Sequence, residues 1–344
     1  MKIFLDDFGI FLGRKRNRFV VKRQDRKDEF VADDVDSIIC TSKGVALSTS
    51  ALNLAVEHNI QVVFAKYSGW PYAILMPTTM TGSVRARREQ FLAYNDERGF
   101  MLAKSFIVGK LMNQANFLKL LAKNRKPTDP VLAEKIYEAG RAVGDIVTRM
   151  DTVKMDKVDE KRQELMNIEA EGARFYWSAI RLILPAELNF VGRETRGAKD
   201  PFNAMLNLGY QTVLFPEVWK AVSYAGLDPY AGYLHADRPG KPSLVLDLME
   251  EFRQQVVDRT VITLLSKGVI KPNEILAVER AEEGRVLDRN VVKTILTSLQ
   301  ERLDTKVMFS GQRAPIKRFV YSQARRVVRF LLRETGYTPF ALGW

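Results

Sequence analysis

The feature that most constrains this chain is a change of hydrophobic period near Gly82. Before it, apolar residues sit in short alternating or β-branched runs. After it, they recur at helical spacing. One element type cannot serve both periods, so the chain predicts a small strand-rich region followed by a large helical one. The strands read as Lys2 to Leu5, Gly9 to Gly13, Arg18 to Lys22, Phe30-Val31, Ser37 to Cys40, Ile60 to Ala65 and Tyr72 to Leu75. A single short helix, Ala51 to His58, interrupts them behind an N-cap offered by Ser48-Thr49-Ser50. From Val84 to about Lys123, residues such as Phe91, Leu102, Phe106, Leu111 and Leu118 predict a long helix, broken by Pro127 and Pro130. A second helix is expected from Val131 to about Asp151, then a solvated, charge-rich stretch from Lys154 to Glu164. The pattern stays helical to Trp344, punctuated by prolines. The expected class is therefore α+β, with a mainly-β domain over 1–82 and an all-α domain over 83–344.

Composition narrows the class further. A chain of 344 residues suggests about two domains and can bury a core without covalent staples. The single cysteine, Cys40, can form neither an intramolecular disulfide nor a zinc ribbon, which points to a reducing, cytoplasmic compartment. No apolar run nears the ~18 residues of a membrane span, and the start turns acidic at Asp6-Asp7 before a signal core can form. The formal net charge is +12. The first 80 residues hold 11 Lys+Arg against 9 Asp+Glu, which leaves +10 on the remainder. An acidic partner, nucleic acid first, would meet the helical part.

There are only two histidines. His58 follows the short helix and reads as a cap or surface residue. His235 lies in Gly232-Tyr233-Leu234-His235-Ala236-Asp237-Arg238-Pro239-Gly240-Lys241-Pro242-Ser243, a loop because its prolines and glycine cannot continue a helix. Ser243 offers a cap for the helix that follows. On it, Asp247 and Glu250 are three residues apart and share a face. A loop histidine beside paired carboxylates is a metal-ligand pattern; the plainer alternative is two solvated acids and a packed histidine. In Ile168-Glu169-Ala170-Glu171-Gly172-Ala173-Arg174-Phe175-Tyr176 the two acids point about 200° apart on a helix. Glu169, Ala173 and Tyr176 share one side, so one acid can face a site with Tyr176 while Glu171 faces elsewhere; the plainer alternative is an amphipathic helix with exposed acids.

Taken together, these segments resemble the CRISPR-associated spacer-acquisition integrases, the first-numbered and near-universal CRISPR-associated protein family. Ile168 to Tyr176 is similar to its glutamate helix and keeps the spacing of seven between Glu169 and a tyrosine. Asp200-Pro201-Phe202-Asn203 through Gly209-Tyr210 is similar to its "DP-x-N" helix start and "GY" ending. Gly226-Leu227-Asp228-Pro229-Tyr230 into Leu234-His235 resembles its histidine loop, and Arg238 to Asp258 its acidic helix. The likeness is close over about 165–260. Asn167 and Ala170 stand where the family often has glycine, and Glu171 adds an acid.

The resemblance implies that Glu169, His235 and Glu250 ligate a divalent metal, Mg²⁺ or Mn²⁺, with Asp247 as an auxiliary acid. It implies a DNA 3′-hydroxyl attacking a repeat phosphodiester, so that a short prespacer duplex enters a CRISPR repeat array. DNA contacts are expected from Tyr176, Arg193, Arg196, Asn203, Arg238 and Lys241, although Tyr176 could equally be a core residue. A homodimer formed through the β domain, joined to the second-numbered CRISPR-associated protein, completes the expectation. A metal-dependent nuclease of DNA repair and a non-catalytic DNA-binding scaffold are the competing readings.

Overall fold

The computed structural model describes residues 1–24, 26–66, 71–77, 82–195, 197–275 and 287–343. The strand-rich region forms two four-stranded sheets. In the first, β1 (Lys2–Leu5), β5 (Ser37–Cys40) and β7 (Gln61–Ala65) run parallel, and β8 (Pro71–Leu75) closes the edge antiparallel. Ile3 pairs with Ile38, and Ile38 with Val62, which makes this a buried apolar ladder. In the second, β2 (Phe11–Lys15), β3 (Arg18–Lys22) and β4 (Lys27–Val31) form a meander, with the two-residue β6 (Ala46–Leu47) beside β2. Helix α1 (Thr49–Glu57) packs between them; the Ala51 N–H donates to Ser48 Oγ at 3.2 Å, the expected cap.

The helical region has its own, larger core, which runs from Ala93 to Leu342. Helix α2 (Val84–Ala93) is followed by α3 (Glu97–Arg125), so the single long helix expected from Val84 is in fact two. The break is chemical. Asp96 caps α3 by accepting from Arg98 N–H at 2.9 Å, and the buried Arg98 guanidinium grips Asp96, Glu89 and the Leu331 carbonyl. Helices α4 (Pro130–Arg149) and α5 (Val158–Arg181) pack on α3. Gly172 permits the α3–α5 contact, because a Cβ there would come within 2.3 Å of Leu111. Glu169 on α5 and Lys110 on α3 flank this closest approach.

Next come α6 (Pro201–Gly209), a π turn over Tyr210–Leu214, and α7 (Phe215–Tyr224). Helix α8 (Ser243–Met249) leads into a second π turn at Gln254–Asp258 and then α9 (Arg259–Ser266). The two π turns touch each other. Such widened turns cluster at functional sites, where they re-aim side chains. Helix α10 (Arg289–Asp304) precedes a hairpin of β9 (Lys306–Phe309) and β10 (Gln312–Pro315), the one strand pair described within the otherwise helical part, and α11 (Ile316–Leu331) follows. Residues 337–342 then cross back over α3. Among the described residues, no helix is long and apolar enough to cross a membrane.

Candidate metal centre and active site

Asp247 organises the histidine loop. Its carboxylate is fully buried and accepts the N–H groups of Tyr233 at 2.6 Å, Leu234 at 3.0 Å and His235 at 2.9 Å. The same carboxylate meets His235 Nδ1 at 2.7 Å. Gly232 makes this nest possible, since a Cβ would sit 2.8 Å from Asp247 Oδ2 and 2.6 Å from Ser243. A carboxylate at Nδ1 fixes the proton there and leaves the Nε2 lone pair free. Asp247 is thus an orienting acid, with its acceptor positions taken by the loop. Ser243 does not cap α8; it is the first helical residue, and its hydroxyl faces the Ala236 and Lys241 carbonyls instead.

Glu250 follows the last turn of α8. Its Oε1 accepts from Arg253 Nε at 3.0 Å, and its Oε2 lies 2.7 Å from Lys110 Nζ. Lys110 Nζ is also 2.7 Å from Glu169 Oε1. One ammonium therefore bridges the two predicted ligand acids. Burial pushes the Glu250 carboxyl up, but the Arg253 and Lys110 charges outweigh it and hold the group at about 2. Arg253 is pinned in turn: its guanidinium lies over the Tyr210 ring at 4.8 Å, and Arg193 lies over the same ring at 5.2 Å. Glu171 points away and pairs with Arg149 at 2.8 Å, so Glu169 is the acid of this helix that meets Glu250 through Lys110.

Three residues expected at DNA are engaged within the protein, two of them fully buried. Tyr176 is fully buried and donates its hydroxyl to Asp258 Oδ2 at 2.8 Å, while Tyr210 donates to the other Asp258 oxygen. Its spacing from Glu169 follows the helix, but that side chain turns into the core behind the site. Asn203 is likewise buried. Its amide donates to Asp200 Oδ2 and the Gly192 carbonyl at 2.7 Å each, and the Asn203 N–H donates to Asp200 Oδ1 at 2.8 Å. The "DP-x-N" pattern is therefore a reciprocal helix cap. Arg193 spends its donors on Asn203 at 2.8 Å and Asn207 at 2.6 Å. Arg196 lies outside the described residues. Arg238 is exposed and Lys241 half-buried on the histidine loop.

Sequence reasoning missed Lys110 and gave Arg253 no role. Arg253 was findable, since it follows Glu250 by three on one helical face. Nothing local marks Lys110 among the lysines of α3.

The donor set suits a divalent ion. Among the described residues no three His, Cys, Asp or Glu side chains stand at ion-holding spacing, and the Lys110 ammonium lies between two of the acids. Glu250 Oε2 is buried and its close partner is the Lys110 ammonium at 2.7 Å. Two carboxylates with an imidazole whose Nε2 is free match Mg²⁺ or Mn²⁺ chemistry. Lys110, Glu169 and His235 keep 16%, 19% and 22% of their side-chain surface, so a ligand can reach them from solvent.

Comparison with known proteins places the chain in a family. Residues 3–301 match the family model described as CRISPR associated protein Cas1. A CRISPR-associated endonuclease Cas1 from Archaeoglobus fulgidus is 39% identical over all of both chains. One from Pyrobaculum aerophilum is 38% identical over 99% of this chain and all of its own. Among solved structures, a casposase bound to integration product superposes with a TM-score of 0.82 at 24% identity, over 98% of this chain and 92% of its own. A Cas1 protein from Thermotoga maritima superposes at 0.76 with 20% identity, over all of this chain and 99% of its own. The matched span contains the whole of the Glu169, His235 and Glu250 constellation, and the chain belongs to the Cas1 family of CRISPR-associated proteins.

Proposed function

We propose that this protein is a divalent-metal-dependent DNA integrase and endonuclease of CRISPR spacer acquisition. One observation carries the reading: Glu169 and Glu250, 81 positions apart in sequence, share a single cation beside a histidine whose Nδ1 is tied to a buried carboxylate. A solvated scaffold has no reason to converge two acids in this way. The relatives named as endonucleases and the casposase on its integration product support the same reaction class.

Glu169, Glu250 and His235 Nε2 would hold Mg²⁺ or Mn²⁺, which when bound supplies Lewis-acid polarisation of a phosphoryl oxygen and stabilises the leaving oxygen. The protein's own part is preorganisation. Asp247 holds the imidazole in one tautomer and one orientation, so His235 acts as a ligand and not as a proton shuttle. Arg253, fixed on Tyr210, keeps Glu250 ionised and aimed. The reaction exchanges one phosphodiester for another: a prespacer 3′-oxygen bonds to the repeat phosphorus as the repeat's own 3′-oxygen leaves, and the hydroxyl proton passes to that oxygen by way of solvent. No nucleotide hydrolysis is needed. Water as nucleophile gives cleavage instead. Arg238 and Lys241 border the histidine loop and would meet backbone phosphates, contributing salt-dependent affinity more than sequence choice.

The strand-rich part over 1–82 would form the homodimer contact, leaving the helical part over 83–344 for chemistry. A structural neighbour is a Cas6-RT-Cas1–Cas2 complex, which supports assembly with a Cas2 protein. The site of action is the cytoplasm, where the repeat array would lie. The test is a joining assay with a 3′-hydroxyl duplex and a supercoiled repeat plasmid, in Mn²⁺, Mg²⁺ or EDTA. Metal-dependent joining that His235→Ala abolishes supports the reading. Cutting without joining moves it to a nuclease. DNA binding with neither reaction leaves a scaffold.

A further inference from the structure

Lys110 is the unabsorbed element of this site. It comes from α3, far in sequence from every ligand, yet its ammonium sits 2.7 Å from both Glu169 and Glu250. The site's formal charge explains what such a group can do. Three carboxylates (Glu169, Asp247 and Glu250) face two cations (Lys110 and Arg253) and one imidazole. With the imidazole neutral, the sum is −1. A divalent ion would turn it to +1, and one phosphodiester charge would bring it to neutrality. The centre is thus balanced for metal and phosphate together and for neither alone.

The two cations differ in freedom. Arg253 is clamped between Glu250 Oε1 and the Tyr210 face. Lys110 has a flexible four-carbon stem, a point charge and three rotatable donors. Its ammonium lies 2.7 Å from Glu250 Oε2 and 2.7 Å from Glu169 Oε1, with no aromatic face to clamp it among the described contacts.

Accepting the metal-site reading above, we propose that Lys110 is a built-in counter-ion. In DNA-free protein it competes with the divalent ion for Glu169 and Glu250, and with DNA bound it turns to the backbone phosphate. Metal and DNA then bind cooperatively, and linkage requires each to raise the other's affinity by the same factor. Free protein holds metal weakly, which restrains cleavage by a loaded enzyme away from its substrate.

The experiment titrates Mn²⁺ into the full-length protein by calorimetry, with electron paramagnetic resonance counting free Mn²⁺. It is run with and without a branched DNA whose 3′ ends are dideoxy-terminated, so that no reaction intervenes. In wild type, this DNA should tighten Mn²⁺ by about tenfold or more. Lys110→Met should bind Mn²⁺ about tenfold more tightly than wild type without DNA, and its coupling to DNA should fall below about threefold. Lys110→Gln serves as a second neutral variant should the Met protein lose its cooperative thermal transition, and Lys110→Arg should restore wild-type weakness. Neutral variants that bind Mn²⁺ no more tightly than wild type, with the DNA coupling intact, overturn the proposal. His235→Ala separates the two claims: if it binds Mn²⁺ as wild type does, the metal-site reading itself fails, and the Lys110 proposal with it.

Discussion

Glu250 meets the charges of Lys110 and Arg253, whereas Glu251, one residue later, meets only neutral donors at hydrogen-bond distance. Glu251 accepts from Gln323 and from the Phe340 N–H at 2.8 Å each, and from the Tyr337 hydroxyl at 2.6 Å. Both side chains are buried, with opposite results. Glu250 is held at about 2, while burial pushes Glu251 up to about 7 against those three hydrogen bonds. Adjacent glutamates therefore do different work. The first is a permanent charge offered to the site. The second is a core acceptor that fastens residues 337–342 against α3 and α11. Identity at a position says little until the partners are known.

The sharpest way to break this contrast is to remove the charge of each in turn. Glu250→Gln keeps shape and loses charge, and joining should fall by at least about 10³-fold while the unfolding midpoint stays near wild type. A variant that still joins DNA at a tenth of the wild-type rate would end the claim that Glu250 is a ligand. Glu251→Ala should do the reverse of a pure activity mutant. It strands Gln323, Tyr337 and the Phe340 N–H in the core and should cost about 3–5 kcal/mol in urea unfolding. A loss below about 1 kcal/mol would show that the tail is held by apolar packing instead.

The contrast also predicts a pH signature. The folded Glu251 carboxyl lies at about 7 against an ordinary value of 4.5, so the stability it contributes is full below about 4.5 and is lost as pH rises through about 7. The interval is worth on the order of 3 kcal/mol. Glu250 has the opposite sign: its contribution is full above 4.5 and lost as pH falls toward about 2. Melting temperatures measured between about pH 5 and 8 should thus fall in wild type, and the part due to Glu251 should vanish in Glu251→Gln. An unchanged slope in the variant would place the titrating acid elsewhere, with Asp258, pushed up to about 6 by burial, the next candidate. The smallest effect concerns Tyr176. Tyr176→Phe deletes one hydrogen bond to Asp258 and should cost about 1–2 kcal/mol, with DNA affinity unchanged within about twofold. A large loss of DNA binding in a stably folded variant would reinstate the contact that burial argues against.

Much of this was legible before any coordinates. Period alone separated the strands of 2–75 from the helices after 84, because side-chain spacing is dictated by backbone geometry. Glu169, His235, Asp247 and Glu250 were singled out by family resemblance, since local reading left both the histidine loop and the choice between Glu169 and Glu171 open. Lys110 was not, since its meaning depends on the Gly172 approach between two helices far apart in sequence. Tyr176 and Asn203, expected at DNA, turn out buried, and the reason is related. Motif spacing reports that a residue matters without telling whether it faces a ligand or a neighbouring helix. The π turns at Tyr210 and Gln254 leave no periodic trace either, as one widened turn shifts the pattern by a single residue.

The strap formed by residues 337–342 has a consequence for how the enzyme is born. Asn113, midway along α3, donates to the Phe340 carbonyl at 2.8 Å and accepts from the Leu342 N–H at 3.1 Å. These contacts close loops of more than two hundred residues, which is a late event for a growing chain. On the ribosome, Glu169, His235 and Glu250 all emerge while Glu251 still lacks every one of its donors. The backing of the site therefore waits for Gln323, Tyr337 and Phe340, which follow the whole motif set in the chain.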